Sequence, residues 1–369
     1  MTDLDGIDAS LLARDLDVRP YRQAFVVVVD RELTRAGVAQ LVRERLGLAP
    51  RFEQIVAGWP APKWTPDDGF DVMGHVRETT LPAGQTIESW IEQRLGLATD
   101  RDHPLWQLWL LRLPGDRHAL VMLAHPALGR PAHLLDVLLD GASAGPVADV
   151  AAGGPVEALA TGVGAMVDSA WRTVSGHPAP CRVAGVAVAL ADVQAVARAS
   201  GCCVRDVAFT LVAEGLARAL PTEHDPITWV PVAGRGHALA LPVGVPDTYS
   251  RLIQLASMAE TWDASADEVP AAAAQARAAR TVVGAPRHQV LLAGVGELPE
   301  AARIGTARVL GLTAFTTPAD DEEVTVNVTA CAGQVFFGAA ALWALDGFGS
   351  GVQAGLARLV THVGKERTR

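Results

Sequence analysis

Between residues 141 and 180 the chain turns to Gly, Ala and Pro, and the same kind of pattern runs on either side of that stretch. Phe25, four consecutive valines and Asp30 form a β-branched run, which predicts a buried strand over 25–30. Helical spacing of apolar residues follows over 33–46, an extended stretch over 70–79, and a second helix over 87–97 with Thr86 as its N-cap. Residues 106–112 and 119–124 read as strands joined at Pro114-Gly115-Asp116, a hairpin signal, with a helix over 132–139 after them. Beyond residue 180 the pattern restarts. Strands are expected over 184–189, 227–232, 290–295, 323–330 and 334–340, and helices over 190–200, 204–220, 271–279 and 349–363. Within the break itself one helix is expected over 156–174. The alternation predicts a mixed α/β (α+β) chain: a first lobe over 1–145, a crossover linker with a helix over 146–180, and a second lobe over 181–369.

Composition narrows the functions open to such a chain. With 31 basic and 41 acidic residues in 369, the net charge is −10, whereas nucleic-acid binding asks for a basic face. Half of the residues are hydrophobic, enough for a substantial core. No apolar run reaches the ~20 residues of a spanning helix, and the acidic start MTDLDGIDAS has no signal-peptide core. The four cysteines, Cys181, Cys202, Cys203 and Cys331, show no C-x-x-C spacing and no neighbouring histidine cluster. They are expected to be reduced thiols in a cytoplasmic protein, with neither metal nor other cofactor. No P-loop, dinucleotide fingerprint or Ser-His-Asp order is present.

An ordered set of short segments then narrows the fold. Pro50-Arg51-Phe52, Phe70-Asp71, His75-Val76-Arg77, Asp102 with Pro104-Leu105-Trp106, and Leu123-Ala124-His125 follow one another in the first half. In the second half come Leu190-Ala191-Asp192-Val193, Val204-Arg205-Asp206-Val207, Val324-Thr325-Val326-Asn327-Val328-Thr329, Gly333 and Phe336-Phe337-Gly338. This order resembles the wax ester synthase/diacylglycerol acyltransferase family, part of the superfamily of chloramphenicol acetyltransferases and condensation domains. The resemblance implies two chloramphenicol-acetyltransferase-like lobes with a tunnel between them. It also implies a motif His-His-x-x-x-Asp-Gly after a first-lobe strand, whose second His is the general base on the acceptor.

The matching segment here is His125-Pro126-Ala127-Leu128-Gly129-Arg130-Pro131. His125 fits the first His. Pro126, which can accept no proton, stands at the base position, Arg130 replaces the Asp and Pro131 the Gly. The family's Asn-Asp pair reads Arg205-Asp206, and its Ser-Asn-Val-Pro-Gly-Pro segment is met only by Gly294-Val295-Gly296-Glu297-Leu298-Pro299.

His125 and His133 are therefore the candidate catalytic imidazoles. The alternatives are a strand-end histidine held by backbone partners and an exposed first-turn residue. Arg130 could bind an anionic group or be a solvated loop residue. Asp206 could face a site or cap its helix. Asn327 and Thr329 share one face of a strand and, with Glu297, are candidate substrate contacts. Three functions stay open. One is a repurposed enzyme of bacterial specialised metabolism that cyclises or condenses an apolar acyl or polyketide-like substrate without the usual catalytic His. Another is a non-catalytic ligand- or partner-binding protein. The last is an O- or N-acyltransferase that uses acyl-CoA or an acyl carrier protein thioester with a relocated His base.

Overall fold

The computed structural model of the chain describes residues 2–4, 12, 15, 20–58, 62–114, 117–128, 135, 137–140, 180–220, 227–232, 235–264, 289–298, 302–318 and 323–366. The helices expected over 156–174 and 271–279, the linker, and Arg130, Pro131 and His133 lie outside those residues.

Two six-stranded sheets organise the molecule. The first uses β2 (Gln23–Val29), β5 (Val76–Thr80), β6 (Trp106–Leu113), β7 (Arg117–Ala124), β12 (Arg303–Ile304) and β13 (Ala307–Thr316). Its order is β12-β13-β2-β7-β6-β5, antiparallel except at β5–β6. The all-apolar run in β2 sits in the middle of the sheet, where both faces are covered. On one face α1 (Arg35–Arg45) buries Val38, Ala39 and Val42, and Phe52, Trp64 and Trp106 fill the layer beneath. On the other face α3 (Ile87–Leu95) buries Trp90, Ile91 and Leu95. Thr86 caps this helix as the sequence predicts. Its hydroxyl accepts from Ser89 N at 3.1 Å, and the Ser89 hydroxyl returns the bond to Thr86 N.

The second sheet has the order β10-β9-β11-β14-β15-β8, built from β8 (Arg182–Ala189), β9 (Ile227–Val232), β10 (Arg235–Ala240), β11 (Gln289–Glu297), β14 (Glu323–Cys331) and β15 (Gln334–Ala341). The expected strands and helices of this half fall on β8, β9, β11, β14, β15, α4 (Leu190–Ser200), α5 (Val204–Ala219) and α7 (Phe348–Glu366). The helix α6 (Thr248–Ala264) and the strand β10 are additional.

The sequence pattern gave no sign of β13. A bulge between Val309 and Gly311 breaks its period-two alternation, so no run of the ordinary length stands out. This strand comes from the carboxy-terminal part of the chain yet pairs with β2 along its length. The two sheets meet where β13 crosses β15, and Gly338 lets the backbones touch. A Cβ on Gly338 would lie 2.1 Å from the Ala314 carbonyl oxygen. The junction is reinforced from α3, where Glu92 accepts from Val183 N at 2.9 Å and pairs with Arg182 at 3.1 Å.

Candidate functional site

His125 follows β7 directly, and its N–H closes onto the Leu105 carbonyl at 2.9 Å. The next three residues, Pro126, Ala127 and Leu128, make a single buried 3-10 turn. That turn folds the Ala127 N–H back to His125 Nδ1 at 3.0 Å. An amide can only donate, so Nδ1 is the lone-pair nitrogen and Nε2 carries the proton. Nε2 has no hydrogen-bond partner and faces the Asp15 carboxylate at 3.9 Å. The ring is 1% exposed. Burial drives its pKa down to about 4, against the opposing pull of Asp15. As held, His125 offers no lone pair to a substrate. Its geometry is that of a strand-end residue fixed by backbone.

This burial has a pH consequence. The folded imidazole resists protonation, whereas the unfolded one takes a proton near its ordinary value of 6.5. The unfolded chain therefore binds more protons between those values, and stability present above pH 6.5 is lost as pH falls toward 4. His125 accounts for about 3 kcal/mol of that loss. Urea unfolding across this range should show the slope in wild type. It should be flatter in His125→Asn, whose side-chain oxygen can still accept from Ala127. Identical slopes would assign the loss to other groups.

Of the other candidates, Asp206 is 4% exposed and caps α5. Its Oδ2 accepts from Cys203 N at 3.0 Å and from the Cys203 thiol at 3.2 Å, and its Oδ1 lies 3.4 Å from Arg205 Nε. Asn327 is buried on β14 and reaches the Thr316 hydroxyl at 3.5 Å, across the junction of the two sheets. Thr329 is half-buried and pairs with Phe336 on β15. Glu297 ends β11 opposite Ala330, and its side chain lies outside the described residues. Asp206, Asn327 and Thr329 are thus all second-lobe residues, and His125 belongs to the first. Among the described residues no three His, Cys, Asp or Glu are placed to hold a metal ion. The buried thiols of Cys181 and Cys331 are pushed up to about 12 and about 11 by desolvation, which makes them poor nucleophiles at neutral pH.

A cavity of about 210 Å³ opens beside His125 at the end of the first sheet. Arg22, His75, Thr99, His103, Trp106 and Gln107 contribute to its wall. His75 ends the short helix α2 (Val72–His75) and stacks on Trp106, with ring centroids 4.5 Å apart. Its Nδ1 donates to the Trp106 carbonyl at 2.8 Å. A carbonyl can only accept, so this imidazole has the opposite tautomer to His125, with its lone pair on Nε2. Burial lowers the His75 pKa and keeps the ring neutral. Sequence reasoning used His75 only as part of a resemblance. A histidine's tautomer depends on which carbonyl it meets, and no local spacing reports that.

Residues 4–140, which contain β2, β5, β6, β7 and this cavity, match the model of the wax ester synthase/diacylglycerol acyltransferase catalytic domain. The first lobe is thus similar to that catalytic domain. A putative diacylglycerol O-acyltransferase of Mycobacterium tuberculosis is 32% identical over 151 residues, covering 37% of this chain and 32% of that relative. The chain thus matches about a third of that relative's length. In structure the likeness runs through both lobes. The wax ester synthase/diacylglycerol acyltransferase from Marinobacter aquaeolei VT8 superposes with a TM-score of 0.70 at 20% identity, over 98% of this chain and all of the other. The starter condensation domain of rhizomide synthetase, in complex with C8-CoA, gives 0.53 at 12% identity over 99% and 94%. The fold of this chain is therefore the mixed α/β fold seen in those two structures. No helix among its described residues is long and apolar enough to cross a membrane.

Proposed function

We propose that this chain is a repurposed acyltransferase/condensation-fold enzyme of bacterial specialised metabolism. In this reading an apolar acyl or polyketide-like substrate, free or carried as an acyl-CoA or acyl-carrier thioester, lies in a tunnel between the lobes. There it undergoes an intramolecular cyclisation or condensation. The observation that carries the reading is the state of the motif segment. A buried proline stands at the base position, and the imidazole before it, His125, has Nδ1 committed to Ala127 and a protonated Nε2 sealed in the core. Intermolecular acyl transfer asks for a neutral imidazole with an open lone pair at the acceptor. Folding a single chain onto itself asks mainly for orientation, which can lower a barrier by up to about 7–11 kcal/mol in favourable intramolecular cases. The fold shared with a condensation domain described in complex with C8-CoA supports the substrate class.

Thiol release tests this reading. Wild type and His125→Ala are given a panel of acyl-CoA and acyl-carrier donors with alcohol and amine acceptors. Both should release no thiol above background through transfer to an added acceptor, and mass spectrometry should find any product isomeric with, or smaller by water than, the acyl chain supplied. Transfer to an added acceptor that disappears in His125→Ala would return the chain to ordinary acyl transfer and end the proposal.

A further inference from the structure

The cavity at the end of the first sheet lies wholly within the first lobe, and the reading above makes no use of it. Two of its groups are buried and incompletely engaged. His75, 8% exposed, spends Nδ1 on the Trp106 carbonyl. No described residue bonds its Nε2, which is a lone pair turned to the cavity. Arg22, also 8% exposed, donates Nε to the Thr99 hydroxyl at 3.3 Å and Nη2 to the Ala98 carbonyl at 2.6 Å. These bonds fix the guanidinium in the cavity wall and leave Nη1 for an occupant. Burial holds the Arg22 pKa below its ordinary value, yet an arginine stays charged at neutral pH. The inner wall therefore presents one acceptor and one cationic donor.

The acids of the cavity sit nearer solvent and are engaged locally. Asp67 accepts from Gly69 N, Asp71 caps α2 through Met73 N, and Asp100 holds Asp102 N and the His103 ring. A cavity of about 210 Å³ is smaller than the roughly 300–1,000 Å³ that drug-sized ligands take.

We propose that this cavity is a binding site for a small hydroxy acid, whose hydroxyl donates to His75 Nε2 and whose carboxylate meets Arg22. Each buried group then gains the partner it lacks. A ligand with only one of the two functions leaves a desolvated polar atom unpaired, at a cost that enforces selectivity.

Ethoxyformylation by diethyl pyrocarbonate tests this on the wild-type chain, because the reagent attacks an accessible neutral imidazole nitrogen. Peptide mapping should find His75 modified at pH 7, with solvent-exposed His103 as the internal positive control and sealed His125 unmodified. Lactate at ten times its dissociation constant should slow modification of His75 about tenfold by mass action. Propionate, which lacks the hydroxyl, and 1,2-propanediol, which lacks the carboxylate, should protect at least about tenfold more weakly at equal concentration. A lactate-induced rise in melting temperature, lost in His75→Gln, gives a second readout. An unreactive His75, or protection by propionate or propanediol equal to that by lactate, would overturn the assignment. Neither result bears on acyl-thioester chemistry between the lobes.

Discussion

Replacing Glu214 by alanine should destabilise the chain by about 3–5 kcal/mol, the usual cost of stripping one partner from a buried ion pair. Glu214 projects from α5 and is buried beneath α6 and α7. One carboxylate oxygen pairs with Arg251 of α6, and the other pairs with Arg358 of α7. Arg251 is 3% exposed. Its remaining donors meet the carbonyls of Pro242, Val243 and Val245, and Arg358 also donates to the Thr248 hydroxyl at 2.7 Å. One carboxylate thus joins three helices over the second sheet. Without it the buried Arg251 charge loses its carboxylate partner. Urea unfolding at pH 7 reads the effect. Glu214→Gln should fall between wild type and alanine, since it restores hydrogen bonds but not charge. A loss below about 1 kcal/mol in Glu214→Ala would place the pair among solvent-screened ones.

The second large effect is expected at Gly338. A methyl group there would lie 2.1 Å from the Ala314 carbonyl oxygen and 3.0 Å from a Thr313 methyl. Backbone cannot swing aside as a flexible side chain can, so β13 and β15 must separate. Gly338→Ala should cost about 3 kcal/mol, the upper end of the range for overpacking a well-filled interior. The same separation draws Asn327 away from Thr316, because both flank the crossing. Thermal unfolding measures the stability loss. A Gly338→Ala chain as stable as wild type would mean that the two sheets are not in rigid contact at this point.

Both effects depend on contacts between distant segments, and this is where sequence reading stops. Local elements were legible where one physical signal dominated. The valine run became β2 because a central strand buries both faces, and Thr86 capped α3 because its hydroxyl meets a free amide one turn on. The hairpin strands β6 and β7 followed from apolar runs separated by turn residues. The strand β13 was hidden by its bulge, and α6 by a buried face that includes Arg251, a residue that a hydrophobicity pattern places in solvent.

The candidate site divides in the same way. Sequence alone determined that no imidazole stands at the motif's base position, because Pro126 occupies it and proline carries no titratable group. It also limited the charge, the core and the order of segments that resemble the acyltransferases. Only the tertiary structure decided what His75 and His125 can do. His125 meets an amide and is sealed with its proton on Nε2, whereas His75 meets a carbonyl and keeps its lone pair there. The two rings are chemically identical in the sequence. Their opposite tautomers arise from the partner that the fold brings to each Nδ1, since a histidine's free nitrogen is fixed by the bond the other one makes.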